Sequence, residues 1–410
     1  MNMRIAMLTN NYKPFVGGVP ISVERLAQGL RRLGHEVYVF APSYEGQEDE
    51  PYVIRCKSRK KKLGKNIVIP DMLDRTVEDT FAAIRFDVIH VHHPVLMGYT
   101  AHYLRKKYGI PVVFTYHTRY EQYIHYVRPY NIFHKHRQDY LPYKLLYSGS
   151  EKIVQLHNRI FTNRCDMVFA PTHSIKQYLE ENGVITDIEV VPTGINEEDF
   201  SCDTGMVNAI RNQYLEGRKF LLCTVSRLGK EKNLNFLLSG LARFKERKGD
   251  CFRLLLIGDG DEKDALQSEA ERLGLADNII FTGCIDHSLI RNYCCASDLF
   301  VFTSRSETQG IVLLEAMAAG LPVVAVKATG VNDVVIDGWN GYLSEPDRDE
   351  WEENLEIILE NTVQRAWMRQ NAVTEAEQYL ACTIARRVEK LYQNLTLYQI
   401  TEQAYEKTIV

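Results

Sequence analysis

The sequence contains no uninterrupted apolar run near the ~18 residues that would cross a bilayer. From Met3 it passes directly into a β-like segment without the charged and then apolar leader of a secreted chain. A cytosolic protein is therefore expected. It has no Cys-x-x-Cys pair, and its nine cysteines, an odd number, lie mostly in apolar runs. Free buried thiols are predicted rather than a disulfide framework. Internal repeats, low-complexity tracts and a G-x-G-x-x-G fingerprint are also missing. One stretch lacks charge of a single sign: Pro51 to Pro70 has seven cations (Arg55, Lys57, Arg59, Lys60, Lys61, Lys62, Lys65) and no acid.

With 45% hydrophobic and 25% charged residues, the composition is that of an ordinary globular protein. Its 410 residues, at ~150 per domain, suggest two or three domains. The formal charge of −4 conceals an asymmetry. Residues 1–195 carry 26 Lys and Arg against 19 Asp and Glu, a net +7, whereas the remainder carries 23 against 34, a net −11. A basic first half beside an acidic second half points to an anionic partner for the first.

Short apolar runs alternate with amphipathic stretches, the grammar of βαβ units. Strands are predicted at 4–8, 37–41, 87–91, 112–116, 167–170 and 188–191, then at 220–225, 252–257, 278–281, 299–302 and 323–326. Most do not alternate, as expected for parallel strands covered on both faces. Gly34 closes the first helix, whose apolar positions are Val23, Leu26, Ala27, Leu30 and Leu33. The pattern predicts two Rossmann-like domains facing across a cleft, at 1–195 and 196–380. Helical patterns run from about Glu350 to the end, with Thr374 to Leu395 long enough to cross back, and a C-terminal helix at 381–410 is expected to return to the first domain.

Parallel sheets present ligands at the carboxyl ends of their strands, so chemistry is expected in the loops that follow them. The first ends in Gly17 and Gly18 before a helix, where bare amides could approach a phosphate or sugar, although a flexible turn would look the same. The run from Ser226 to Asn233 sets Arg227 and Lys232 on a strand-to-helix turn. A planar fork and a mobile point charge there could grip a diphosphate, or simply be solvated. Gly258, Asp259 and Gly260 form either a cleft-lining loop or a plain turn. Glu307 precedes Gly310, and Glu315 follows eight residues after the first. Their carboxylates could accept hydrogen bonds from sugar hydroxyls, while Gly310 and the amides after it could hold an anion. On spacing alone, Glu307 could equally be a helix-dipole partner and Glu315 a surface acid.

The E-x7-E arrangement, Gly310 and the tail Ala316, Met317, Ala318, Ala319, Gly320, Leu321, Pro322 resemble the retaining GT-B glycosyltransferases of family 4, over essentially the whole chain. The resemblance implies an α/β fold of two Rossmann-like domains and a nucleotide-sugar donor. Glu307 would bind the hexose, Glu315 the ribose, the amides of Gly310, Ile311 and Val312 the sugar or phosphate, and the Ile285 backbone the base. Arg227 and Lys232 would take the diphosphate, and His117, after the strand ending at Tyr116, would contact the hexose. No cofactor and no metal are implied; the nucleotide-sugar donor is a substrate, expected here to be UDP-glucose. The chain departs from the family at Thr308 and Gln309, usually Gly and Phe, and at Gly330, Val331, Asn332, Asp333, usually Gly-Gly-Val-Pro-Glu. The sugar is less defined for that reason.

In such enzymes the first domain chooses the acceptor. Here it carries the basic run and eight tyrosines between Tyr116 and Tyr147, interleaved with His and Arg. Rings beside cations suit a membrane interface, though each ring alone reads more readily as packing. Residues His117 to Tyr126, with Tyr120, Tyr123 and Tyr126, resemble the acceptor loop of bacterial diacylglycerol glucosyltransferases. The expected partners are thus a nucleotide sugar, a lipid acceptor and an anionic membrane surface, without nucleic acid, and the expected reaction is transfer of glucose to diacylglycerol. The same signals would serve a sulfoquinovosyl or mannosyl lipid transferase, a soluble enzyme acting on a phosphorylated or glycan acceptor, or a catalytically silent nucleotide-sugar-binding protein.

Overall fold

The computed structural model describes residues 2–63, 67–72, 74–122 and 141–409. They form two compact units, Met1–Gly194 with Ala381–Val410, and Ile195–Leu380. The strands of the first are β1 (Arg4–Leu8), β2 (Glu36–Pro42), β3 (Val53–Cys56), β4 (Ser58–Leu63), β5 (Ile67–Pro70), β6 (Val88–Val91), β7 (Val112–Thr115), β8 (Met167–Ala170) and β9 (Ile188–Val190). All but β4 and β5, which make an antiparallel hairpin, join one parallel sheet in the order β3-β2-β1-β6-β7-β8-β9. Its helices are α1 (Gly18–Arg32), α2 (Arg75–Ala83), α3 (Met97–Tyr108), α4 (Leu141–Thr162) and α5 (His173–Glu181).

The second unit repeats the plan. Its strands β10 (Phe220–Val225), β11 (Phe252–Ile257), β12 (Ile279–Gly283), β13 (Leu299–Phe302), β14 (Val323–Val326) and β15 (Gly341–Ser344) run parallel in the order β12-β11-β10-β13-β14-β15. The flanking helices are α6 (Thr204–Leu215), α7 (Leu234–Lys248), α8 (Lys263–Arg272), α9 (His287–Ala296), α10 (Ile311–Ala318), α11 (Arg348–Glu360) and α12 (Thr362–Glu377). The last helix, α13 (Ala381–Ile409), belongs to the first unit and packs on α1, where Gly29 and Ala385 allow close approach.

Alternation of side chains along a strand explains why the runs are wholly apolar. On β1, Ile5 and Met7 enter one apolar cluster and Ala6 and Leu8 another, each fully buried. On β10, Leu221 and Cys223 face one core while Phe220 and Leu222 face the other. Helix starts are set locally: carboxylates of Asp203, Asp286 and Asp347 accept first-turn backbone N–H groups, each such cap contributing about 1 kcal/mol.

Four departures from expectation have physical causes. The basic run forms β3 and the strand β4, and β15 extends the second sheet, none of which was predicted. The long C-terminal helix is broken: Tyr379 O accepts the Ile195 N–H (2.7 Å), Leu380 bridges to Ile195, and Gly194 lies against Ala381. These contacts recruit the backbone that would have continued the helix. Arg55 is turned inward, its side chain 11% exposed, donating to Pro42 O and pairing with Glu50, so it adds no cation to the surface. Finally, the nine free thiols include Cys202 and Cys284, which are exposed rather than buried.

Candidate functional site

In the second unit, successive connections leave the sheet in opposite directions between β10 and β13, the switch point where open α/β sheets hold ligands. The loops after those two strands are bound to each other. Thr303 Oγ1 donates to Lys232 O (3.1 Å) and Asn233 O (3.2 Å), and the Arg305 N–H donates to Glu231 O (3.1 Å). Across this frame Lys232 Nζ reaches Glu307 Oε1 at 2.6 Å, both side chains about five-sixths buried. Arg227 is half-exposed while pairing with the buried Glu231 at 2.5 Å, so its guanidinium lies at the surface of the loop.

A third loop supports the first. The Leu228 N–H donates to Asp259 O (3.0 Å) and the Glu262 N–H to Leu228 O (3.1 Å). A β-carbon on Gly258, whose φ is +135°, would fall 2.0 Å from Ser226 O, and one on Gly260 would fall 2.3 Å from Leu228 O. Both glycines thus admit the backbone that carries Arg227, and the plain-turn reading is replaced by a buttress. Asp259 and Asp261 have D-x-D spacing, but the Asp259 carboxylate accepts its neighbour's N–H (2.8 Å). Among the described residues no three His, Cys, Asp or Glu side chains are grouped to hold a metal ion.

Gly310, with φ +72°, caps α10 in the left-handed region, leaving the first amides of that helix, including Ile311 and Val312, without intrahelical acceptors. Glu315 is not a surface acid: its side chain is 11% exposed and bonds His287 Nε2 at 3.0 Å. Glu307 is held by Lys232 rather than serving the helix dipole. Gly330 packs against the backbone of Glu307 to Gln309, where a β-carbon would meet it at 2.8–2.9 Å. The unusual segment after Ala328 therefore shapes the Glu307 loop. Ile285 is half-buried between Gly283 and the α9 cap, packed on the unit's core.

In the first unit the switch point lies between β1 and β6. Gly17 is the extended residue before α1, and Gly18 is its exposed first residue. At the end of β6 and in the loops after β6 and β7 the structure gathers four histidines, His90, His92, His93 and His117, of which only His117 was singled out in the sequence. The His92 Nδ1 and His117 Nε2 atoms lie 2.9 Å apart, and the His92 ring lies between those of His90 and His117. His90 bonds Tyr392 OH (2.6 Å) and Thr115 Oγ1 (2.7 Å), and His93 Nδ1 accepts the Asn10 N–H (3.1 Å). Burial pushes His90, His93 and His117 down to about 3, and His92 well below its ordinary value, so the cluster is neutral.

Of the proposed acceptor residues, Tyr120 is half-buried in a 3-10 turn beside Glu121, whose carboxylate is held by Arg119 (3.0 Å) and Tyr178 (2.8 Å). Tyr116 and Tyr147 are core residues. Lys57 is exposed. Tyr123, Tyr126 and Lys65, and the side chains of Arg59, Lys60, Lys61 and Lys62, lie outside the described residues.

Two family models match the chain: Glycosyltransferase Family 4 over residues 16–199 and Glycosyl transferases group 1 over residues 207–375. An alpha-monoglucosyldiacylglycerol synthase of Acholeplasma laidlawii is 30% identical over 407 residues, covering 96% of this chain and 97% of that one. The chain belongs to glycosyltransferase family 4.

A second family member of the same name, from Streptococcus pneumoniae, is 27% identical over 95% of this chain and 85% of its own. A sulfoquinovosyl transferase of Arabidopsis thaliana is 28% identical over 89% of this chain and 68% of its own. The GT-B fold is shared with sucrose-phosphate synthase from Thermosynechococcus elongatus (TM-score 0.77, 20% identity, 97% of this chain and 100% of that one). It is also shared with Anabaena HepE in complex with UDP-glucose (TM-score 0.73, 20% identity, 96% and 100%). For a glycosyltransferase, the second unit's constellation is chemically apt. Paired cations and helix-end amides can hold a diphosphate, and two anchored carboxylates can read sugar hydroxyls.

Proposed function

We propose that this chain is a retaining, metal-independent hexosyltransferase that moves glucose from UDP-glucose to the free hydroxyl of diacylglycerol at a membrane surface. The observation that carries the donor half is the Lys232–Glu307 pair beside Arg227, on three interlocked loops at the second unit's switch point. Arg227, Lys232 and the α10 amides stabilise the departing diphosphate, making prearranged charge the main catalytic contribution. Glu307 orients the hexose and Glu315, held by His287, the ribose. The bond from the anomeric carbon to the diphosphate oxygen breaks, the acceptor oxygen bonds to the same face of that carbon, and its proton passes to the leaving oxygen. His117, a neutral ring, contacts the hexose without adding positive charge beside a developing oxocarbenium.

Two observations support the lipid half. The relatives named alpha-monoglucosyldiacylglycerol synthase match this chain over nearly its whole length. Helix α4 also exposes Leu146, Ile153, Leu156 and Ile160, a stripe spread over roughly 80° of the helix, with exposed Lys152 and Arg159 along one edge. Among the described residues no helix is long and apolar enough to cross a membrane, so this stripe would lie on the lipid surface. The test offers the protein UDP-glucose, GDP-mannose and UDP-sulfoquinovose with diacylglycerol vesicles or soluble glycans, and identifies products by mass spectrometry. A hexosyl-diacylglycerol from UDP-glucose is expected; product only from another donor, or only on a soluble acceptor, would overturn the assignment.

A further inference from the structure

Among the four clustered histidines, His93 alone has its proton placed by a partner that can act in only one way. His90 meets Tyr392 OH through Nδ1 (2.6 Å) and Thr115 Oγ1 through Nε2 (2.7 Å), and either hydroxyl can donate or accept. The Asn10 N–H can only donate, so His93 Nδ1 is a bare acceptor. The contact of His92 Nδ1 with His117 Nε2 (2.9 Å) is between two neutral rings, and either nitrogen could carry its proton. The other side of His92 decides it. Its Nε2 is fully buried and, among the described residues, has no hydrogen-bond partner, in a residue 1% exposed. A buried N–H without an acceptor is rarer and costlier than a buried lone pair without a donor. Turning the ring over would set a C–H against His117 and lose the contact.

We infer that His92 is a positioning residue that donates from Nδ1 to His117 Nε2 and so holds His117 as the tautomer protonated at Nδ1. The second nitrogen of His117, Nδ1, then carries the proton rather than a lone pair. The ring planes are 26° apart with centroids 5.2 Å apart, so His92 also fixes the ring's orientation. The catalytic consequence rests on the proposed role of His117 toward the hexose; the tautomer does not.

The full chain, isotope-labelled at histidine nitrogen, is examined by long-range proton–nitrogen NMR near neutral pH, with His117→Gln and His92→Asn spectra providing assignments. Protonated Nδ1 and bare Nε2 on His117 are expected, with His92 also protonated at Nδ1. A His117 proton on Nε2, or fast exchange between both tautomers, overturns the proposal. In steady-state assays His92→Leu is expected to lower kcat about 10- to 100-fold with KM for the donor changed less than about twofold. His92→Asn, whose amide can donate from the Nδ1 position, restores kcat to within about threefold. Equal loss in both variants, each checked for native circular dichroism, also overturns it. The spectrum needs no substrate, so it decides the tautomer even if UDP-glucose is not turned over, and failed turnover with the expected spectrum counts against the proposed function alone.

Discussion

Replacing Lys232 by Met removes the cation from the Lys232–Glu307 pair while preserving much of its apolar length. At 2.6 Å and an effective dielectric of ~20, the gross attraction is about 6 kcal/mol. Desolvation offsets much of that, and both groups keep about a sixth of their side-chain surface in water, so the expected loss of stability is about 2–3 kcal/mol. It arises mainly from a Glu307 carboxylate left without its partner. The loss of turnover has a different origin, a missing positive charge on the leaving diphosphate, and is expected to be about 100- to 1,000-fold in kcat. The double variant Lys232→Met/Glu307→Gln separates the two: stability recovers because no charge is left uncompensated, while turnover stays low. Urea unfolding and UDP release at saturating donor measure the two quantities. Turnover within about threefold of wild type in Lys232→Met, or turnover that recovers together with stability in the double variant, would refute the assignment of Lys232 to the donor phosphate.

Acid should destabilise the first unit. His90, His93 and His117 titrate at about 3 when folded and near ~6.5 when unfolded, so the unfolded chain binds more protons between those values, and stability falls as pH drops through that window. Each contributes about 1.4 kcal/mol per pH unit there, and urea midpoints that stay flat below pH ~6 would contradict the buried cluster. Gly258→Ala, which places a methyl group against Ser226 O, should displace the Arg227 loop and weaken UDP binding in calorimetry more than about tenfold; unchanged affinity would remove that loop from the site. Replacing Ile153 and Ile160 by Ser should reduce flotation with anionic vesicles, and salt should weaken flotation of the wild type. Insensitivity to both would favour a soluble acceptor.

Most of the parallel strands were legible because each is a short apolar run buried on two faces, a signal that survives in one dimension, whereas both switch points follow from a strand order that only the fold shows. The strand β4 was not, since Ser58 to Leu63 is mostly charge and reads as a solvated face. The break between Glu377 and Ala381 was hidden because its cause, the bonds from Ile195, lies far away in sequence. Arg227, Lys232, Glu307 and Glu315 were named from spacing and resemblance, but only the fold shows Lys232 bonded to Glu307 and Glu315 to His287. His90, His92 and His93 were passed over for a related reason. Their partners, Tyr392, His117 and Asn10, stand in other elements, and a histidine in an apolar strand carries no local mark of function.

The proposed reaction is a transfer of glucose from UDP-glucose to diacylglycerol with retention. It is tested most directly by supplying UDP-glucose labelled at the anomeric carbon with diacylglycerol vesicles and reading the product by NMR. An α-linked glucosyl-diacylglycerol, formed without added metal ion, is the predicted result. A β-linked product, or label found only on a water-soluble acceptor, would contradict it.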